Sequence, residues 1–342
     1  MNLYSMKPSQ TKEAIIRCML ASLVPFVQSS PGMGKSSLVR QIGEENDLEV
    51  IDVRLSVLEP TDLSGLPYFK DGKAKFHPYD MFPLDTTPIP PGKNGWILFL
   101  DEFNSASRAV QAAAYKLILD HAIGQYKLHP KCYVVCAGNK LTDGAITTRL
   151  STAMISRVIH LNMEINFDDW MENVAIPQEY DERIIAYLSM YPEKLMQFDP
   201  EKEDQTFACP RSWEFVNRLI KGTVVKNTDI CLLAGTINED LASEFVQFTK
   251  VFKKLLTITD IIKADGDCPV PEDTATRWAI VSHLMLKVEE KDLKPVMKYI
   301  NKLDSSFRLL FYRAIIKKYP QQLKNSEFRA ELGNLVEYLL GD

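Results

Sequence analysis

The stretch Ser30-Pro31-Gly32-Met33-Gly34-Lys35-Ser36-Ser37 constrains the fold more than any other part of this chain. It follows a short apolar run at residues 24–27 and precedes residues 36–43, whose pattern predicts a helix. A strand, a glycine-rich turn and a helix in succession form the setting in which backbone N–H groups curl around a phosphate. Small residues serve there because a Cβ would block the close approach of backbone to anion. The helix presents its unpaired N–H groups and the positive end of its dipole to the same anion. In this reading Lys35 reaches the β- and γ-phosphates of a nucleotide, and the Ser36 hydroxyl is a ligand for Mg²⁺. Pro31, Gly32, Met33, Gly34 and Ser37 complete the candidate loop. The usual pattern GxxxxGK[ST] opens with Gly; here Ser29 takes that place, and the core Gly-x-Gly-Lys-Ser is intact.

Four more strands are predicted at residues 49–53, 96–100, 133–137 and 158–161, and the runs 96–100 and 133–137 are continuously apolar rather than alternating. Such runs suit a parallel sheet covered on both faces and crossed by helices. Val110, Ala113, Ala114, Leu117, Ile118 and His121 keep helical spacing between two of them. Residues 58–95 break the alternation with many prolines, and within them Leu66–Lys70 and Lys73–His77 flank Asp71-Gly72, a strong hairpin signal. An inserted hairpin and loop projecting from the domain is expected there. Beyond residue 164 the spacing turns helical, with Ile184, Leu188, Tyr191 and Leu195 on one face and Trp213, Val216 and Ile220 on another. Later sets are Trp278, Val281 and Met285, then Phe307, Leu310 and Ala314, then Phe328, Leu332, Leu335 and Leu339. The predicted division is an α/β domain over 1–164, a helical lid over 165–254 and a C-terminal helical domain over 255–342.

Two further polar positions lie at strand ends. Trp96-Ile97-Leu98-Phe99-Leu100 runs into Asp101-Glu102, placing two carboxylates at the carboxyl edge of the sheet beside the phosphate loop. Asp101 would hold Mg²⁺, directly or through water, and Glu102 would orient or deprotonate an attacking water. Asn139 ends the next run, where its amide could bridge a γ-phosphate and that water. Asn139-Lys140 begins like the guanine-reading Asn-Lys-x-Asp pattern. Thr142 occupies the required aspartate position and Asp143 comes one residue late, so guanine specificity is not expected.

In this order the elements resemble the AAA+ ATPases, and Asp101-Glu102-Phe103-Asn104-Ser105-Ala106 with Gln111 resembles the signature of their MoxR-like branch. Pro60-Thr61-Asp62-Leu63-Ser64-Gly65 is similar to that branch's loop after the second strand. The likeness covers roughly residues 10–220. It implies a P-loop NTPase α/β sheet sandwiched by helices, an all-α lid with a C-terminal helical extension, and ATP and Mg²⁺ as substrate and cofactor. It further implies a homo-oligomeric, hexameric ring that acts as a chaperone or motor on a protein substrate, with a von Willebrand factor A domain protein as the first partner to seek. Arg157 stands where the family carries an arginine that enters the neighbouring subunit's site, and Arg149 competes for that role. Cys209-Pro210-Arg211-Ser212 is similar to the family's Ser-Pro-Arg at the start of a lid helix, which gives Arg211 a contact with the γ-phosphate of its own subunit. Tyr68, Phe69 and Phe76 on the hairpin could grip a partner, or the hairpin could pack on a neighbouring subunit.

Composition closes other routes. A net charge of −5 argues against a protein built to coat nucleic acid, which leaves a nucleic-acid-stimulated motor or loader as the rival reading and an ATP-dependent assembly scaffold as a third. Six cysteines in 342 residues form no disulfide framework, and the five histidines show no metal-ligand spacing. Residues 14–27 are apolar, but Arg17 interrupts them and they enter the glycine-rich turn rather than a cleavage site. No run has the length to span a bilayer, and a cytoplasmic protein is expected.

Overall fold

Continuous apolar runs have a simple structural consequence: their strands are buried on both faces. In chain order the strands are β1 (Ser5–Met6), β2 (Pro25–Gln28), β3 (Leu48–Arg54), β4 (Leu66–Lys70), β5 (Lys73–His77), β6 (Gly95–Asp101), β7 (Ala122–Ile123), β8 (Tyr126–Lys127), β9 (Cys132–Gly138) and β10 (Ile159–Met163). Six of them form one sheet in the order β1-β10-β2-β9-β6-β3, every pair parallel. Strand β6 is buried at all of its positions. The computed structural model describes residues 5–144, 147–202 and 205–335. Two units emerge, Met1–Asn166 with Asp199–Glu203, and Phe167–Phe198 with Asp204–Asp342.

Helices α1 (Pro8–Leu20), α2 (Lys35–Glu45), α3 (Pro60–Ser64), α4 (Arg108–Asp120) and α5 (Thr152–Ile155) complete the first unit. Val110, Ala114, Leu117 and Ile118 of α4 share a core with Leu98, Leu100, Val134 and Cys136 of the sheet. Ile97, Phe99 and Val135, one residue out of step, point to the opposite face, and α1 and α2 also pack on the sheet. Burial pushes the Cys132 thiol up to about 12 and raises Cys136 further, so both behave as small apolar side chains.

Some boundaries depart from the sequence expectation. His121, spaced as a helical residue, lies just beyond α4 in a left-handed conformation with φ 47°. The proline-rich insert contains a short helix as well as a hairpin: Pro60 opens α3, where its missing N–H costs nothing. Asp71 and Gly72 turn between β4 and β5 with φ of 53° and 71°, the handedness that matches strand twist. Strands β1, β7 and β8, two residues each, were not expected; β1 adds an edge beside Asn162 and Met163.

The second unit is helical: α6 (Phe167–Trp170), α7 (Glu182–Met190), α8 (Pro210–Ile220), α9 (Ile230–Ile237), α10 (Glu239–Thr249), α11 (Ile258–Lys263), α12 (Thr274–Lys287), α13 (Leu293–Ile300), α14 (Ser305–Lys318) and α15 (Ser326–Asn334). Ile184 and Leu188 on α7, and Trp213, Val216 and Ile220 on α8, are buried as their spacing predicts. Tyr191 instead caps α7, and Leu195 sits in the short turn Pro192–Leu195. The Tyr187 ring packs against Trp213 and Phe245 at centroid distances of 5.8 and 5.4 Å. Arg183 grips Asp181 through Nε and Nη2, both at 2.7 Å, and donates to the carbonyls of Ile220, the last residue of α8, and of Thr223 beyond it. Phe328 and Leu335 are buried, Leu332 is half-buried, and Leu339 lies outside the described residues. Among the described residues no helix is long and apolar enough to cross a membrane.

Candidate functional site

The strand order decides which side chains meet. Strand β9 lies between β2, which leads into the glycine-rich loop, and β6, which ends in the carboxylates. Whatever follows β9 therefore sits between Lys35 and Asp101, and the residue that follows is Asn139.

The loop leaves β2 through Ser29, which is fully buried. Its N–H reaches the Gly138 carbonyl at 3.4 Å and its Oγ donates to the Ser30 carbonyl at 3.1 Å. Serine is tolerated at the usual glycine position because the backbone there does not enter the positive-φ region. Gly34 does, at φ 85°, as the N-cap of α2, and a Cβ there would meet no heavy atom within 4 Å; the conformation, not space, demands glycine. From Gly34 the unpaired N–H groups of the first turn of α2 face the loop, the arrangement that binds anions. Pro31, Gly32 and Met33 form the loop's arch, and Ser37 stands exposed on the helix.

Lys35 folds back over this loop. Its Nζ donates to the Ser29 carbonyl at 3.0 Å, Ser29 Oγ at 3.1 Å, the Ser30 carbonyl at 3.3 Å and Asn139 Oδ1 at 3.0 Å. Ser36 Oγ donates to Asp101 Oδ2 at 2.9 Å, and Asp101 is only 8% exposed. These two hard oxygens, one a carboxylate, are the donor types that Mg²⁺ takes alongside nucleotide phosphates, so the residues present fit such an ion. Glu102 follows with φ 55°, a strained value for a residue with a side chain. Its carboxylate accepts from Ser56 Oγ and lies 3.5 Å from Arg54 Nε. Both partners come from β3 and the turn after it, since Arg54 pairs in register with Asp101.

The site thus joins Lys35, Ser36, Asp101 and Asn139 directly, with Glu102 next in the chain. Arg157 lies outside this network: its Nη1 donates to the Ala153 carbonyl at 2.6 Å and Ser156 Oγ at 3.3 Å, and its guanidinium lies 5.0 Å from the centre of the Tyr115 ring. Arg149 is exposed between α5 and the preceding loop, and Arg211 is exposed in the first turn of α8, in the second unit.

Sequence reading missed four participants. Arg54 and Ser56 hold Glu102. Asp143 accepts from Ser30 Oγ at 3.3 Å and from the Lys140 N–H at 3.2 Å, tying the loop to the turn after β9. Asn104 contacts the main chain of Asn139. The only sequence signal for Asp143 was its position three residues after Lys140, a capping spacing.

No protein-family model and no curated protein matches the sequence. Among solved structures the chain is similar to a candidate ATPase from Cytophaga hutchinsonii, at 12% identity over 96% of this chain and 88% of the other, with a TM-score of 0.37. It is similar also to the Thermotoga maritima RuvB Holliday junction branch migration motor (17% identity, 83% and 86% covered, TM-score 0.36) and to NtrX from Brucella abortus (13%, 98% and 69%, TM-score 0.36). Such distant likenesses carry no activity across to this chain. What its own topology and loop define is a P-loop α/β domain followed by a helical part.

Proposed function

We propose that this chain is a Mg-ATP-hydrolysing AAA+ ATPase of the MoxR-like kind, which forms a ring of about six protomers and remodels protein partners. The observation that carries the reading is the convergence of Lys35, Ser36, Asp101 and Asn139 across three adjacent strands, with Glu102 immediately beyond.

Each residue then has a task. The N–H groups after Gly34 and the Lys35 ammonium bind the phosphates of ATP, with Lys35 exchanging its loop carbonyls for phosphate oxygens. Ser36 and Asp101 would hold Mg²⁺, which neutralises phosphate charge when bound. Glu102 accepts a proton from the attacking water, and the Asn139 amide orients that water against the γ-phosphate. Arg157, exposed and held in place over Tyr115, would act in a neighbouring subunit's site, and Arg211 on its own subunit's γ-phosphate; arginine fingers contribute about 10³–10⁵ in rate. Hydrolysis would alter contacts between rigid bodies and so perform work.

The β4–β5 hairpin is the proposed tool. Pairing in register puts Pro67, Phe69, Ala74 and Phe76 on one face, and Phe69 is 83% exposed. Exposed Lys70 and Lys73 and half-buried Lys75 lie on the opposite face, so the hairpin suits a protein surface of mixed apolar and acidic character. A von Willebrand factor A domain protein is the first partner to test.

The deciding experiment measures ATP turnover and solution mass together. The wild type should hydrolyse ATP only with Mg²⁺, Lys35→Ala should lose ATP binding, and Glu102→Gln should bind ATP without turnover and assemble into rings. A Glu102→Gln protein that stays monomeric with Mg-ATP would remove the ring. Turnover in that variant near the wild-type rate would remove the assigned chemistry, and stimulation by DNA or RNA would transfer the reading to a nucleic-acid motor.

A further inference from the structure

Asn104 follows the two carboxylates in the turn Phe103–Ser105 and is 1% exposed, and its side chain is turned onto the main chain of Asn139. Its Nδ2 donates to the Asn139 carbonyl at 2.7 Å, and its Oδ1 accepts from the Asn139 N–H at 3.1 Å. The amide thus mimics a strand partner, satisfying both polar groups of one residue across a gap of 35 positions. Only an uncharged amide offers one donor and one acceptor in this arrangement; a carboxylate would set a lone pair against the Asn139 carbonyl. Strand β9 is shaped to admit it. A Cβ on Gly138 would stand 2.1 Å from Asn104 Oδ1, so glycine there leaves room for the amide and not for a backbone need. The Asn104 carbonyl in turn accepts from the Thr148 N–H at 2.6 Å, on the segment leading to α5.

We propose that Asn104 is the positioning residue for Asn139: its clamp on the Asn139 peptide fixes where the Asn139 amide points, and so couples the carboxylate end of β6 to the γ-phosphate-facing end of β9. The proposal rests on the hydrolytic reading above, in which Asn139 orients the attacking water. Because Asn139 Oδ1 also accepts from Lys35 Nζ, the clamp links three strand ends through two residues. A fixed amide lowers the cost of ordering water in the transition state, so losing the clamp acts on turnover more than on ground-state binding.

The test compares Asn104→Leu with Gly138→Ala, which pushes a methyl group into the same clamp from the other strand without altering either amide. Both are made in the wild-type and Asn139→Ala backgrounds, and kcat, KM, ATP affinity and thermal midpoint are measured. In the wild-type background each should lower kcat about tenfold or more while ATP affinity changes less than about twofold. In the Asn139→Ala background the same changes should lower kcat by less than about twofold, because the residue they act through is gone. A fall in thermal midpoint would appear in both backgrounds, so it does not mimic this coupling. Equal kcat losses in both backgrounds, or unchanged kcat in the wild type, would overturn the positioning role. A wild type that hydrolyses no ATP would overturn the underlying reading and this inference with it, whereas active wild type with unaffected variants would overturn this inference alone.

Discussion

Ser36 Oγ donates a 2.9 Å hydrogen bond to Asp101 Oδ2, joining the first turn of α2 to the last residue of β6 across the strand between them. The bond satisfies a carboxylate that is almost wholly buried and holds it beside the helix N-terminus, where the dipole favours negative charge. One hydroxyl and one carboxylate, preset at this separation, need little rearrangement to share a cation.

The two residues should therefore fail in the same way. Asp101→Asn keeps an acceptor for Ser36 but removes the charge, and Ser36→Ala leaves Asp101 Oδ2 without its donor. Both should raise the Mg²⁺ concentration for half-maximal ATP turnover by about 10–100-fold, the range seen when a metal's supporting groups are altered. Titrating Mg²⁺ at saturating ATP checks this. An unchanged midpoint in Asp101→Asn would remove that residue from the metal site.

Glu102 yields a prediction of the opposite sign. Ser56 Oγ occupies one carboxylate oxygen and Arg54 Nε approaches the other, so both would compete with water for the lone pairs that the proposed catalysis needs. Ser56→Ala frees one of them. Basal kcat should rise about two- to tenfold, a fraction of the roughly 1.5–3 kcal/mol that a hydrogen bond to a charged group contributes. ATP affinity should stay unchanged, since Ser56 is not in the loop. Steady-state kinetics of the single variant decides the matter, and a fall in kcat would mean that Ser56 aims Glu102 rather than restrains it.

These contacts also mark where sequence reading ended. Lys35, Ser36, Asp101 and Glu102 were legible because their chemistry needs particular residue types next to a glycine-rich turn or a strand end, and both are local patterns. Arg54 and Ser56 were not, because they meet Glu102 only through the pairing of β3 with β6, and lateral strand order leaves no trace in local spacing. Asn104 stood in a quoted motif, yet its partner lies 35 residues away. The two-residue strands are too short for any period to show. His121 was misread because apolar spacing cannot separate the last residue of a helix from the one that caps it.

His121 connects that misreading to pH. Burial lowers its pKa below the ordinary 6.5. Well above 6.5 the ring is neutral in both folded and unfolded chains, and stability does not change on its account. As pH falls through 6.5 the unfolded chain takes up a proton that the folded chain resists, so stability drops until the folded pKa is reached. His121→Asn removes the titration and retains a residue that tolerates the left-handed cap. Thermal midpoints recorded between about pH 7.5 and 5 should fall more steeply for wild type than for the variant. Parallel curves would show that protonation of His121 plays no part.

Arg157 supplies the last prediction, and it separates a ring from a single subunit. Its guanidinium is exposed, held at the Ala153 carbonyl and laid over the Tyr115 ring 5.0 Å from the centroid. A cation–π contact made by an exposed arginine, here on a half-buried ring, contributes about 0.5–1 kcal/mol, enough to restrict the side chain without burying its charge. In the proposed ring, an arginine so presented would serve a site that a neighbour brings to it. Arg157→Ala should then bind ATP normally and turn it over at least about tenfold more slowly, within the range for arginine fingers. Glu102→Gln should be equally inactive alone. Mixed, the two proteins should recover activity, because some interfaces pair an intact Glu102 site with an intact Arg157 from the next protomer. The recovered rate should peak at intermediate ratios, where mixed interfaces are most frequent. A mixture no faster than its components would reject Arg157 as the trans-acting group and leave Arg149 to be tested by the same complementation.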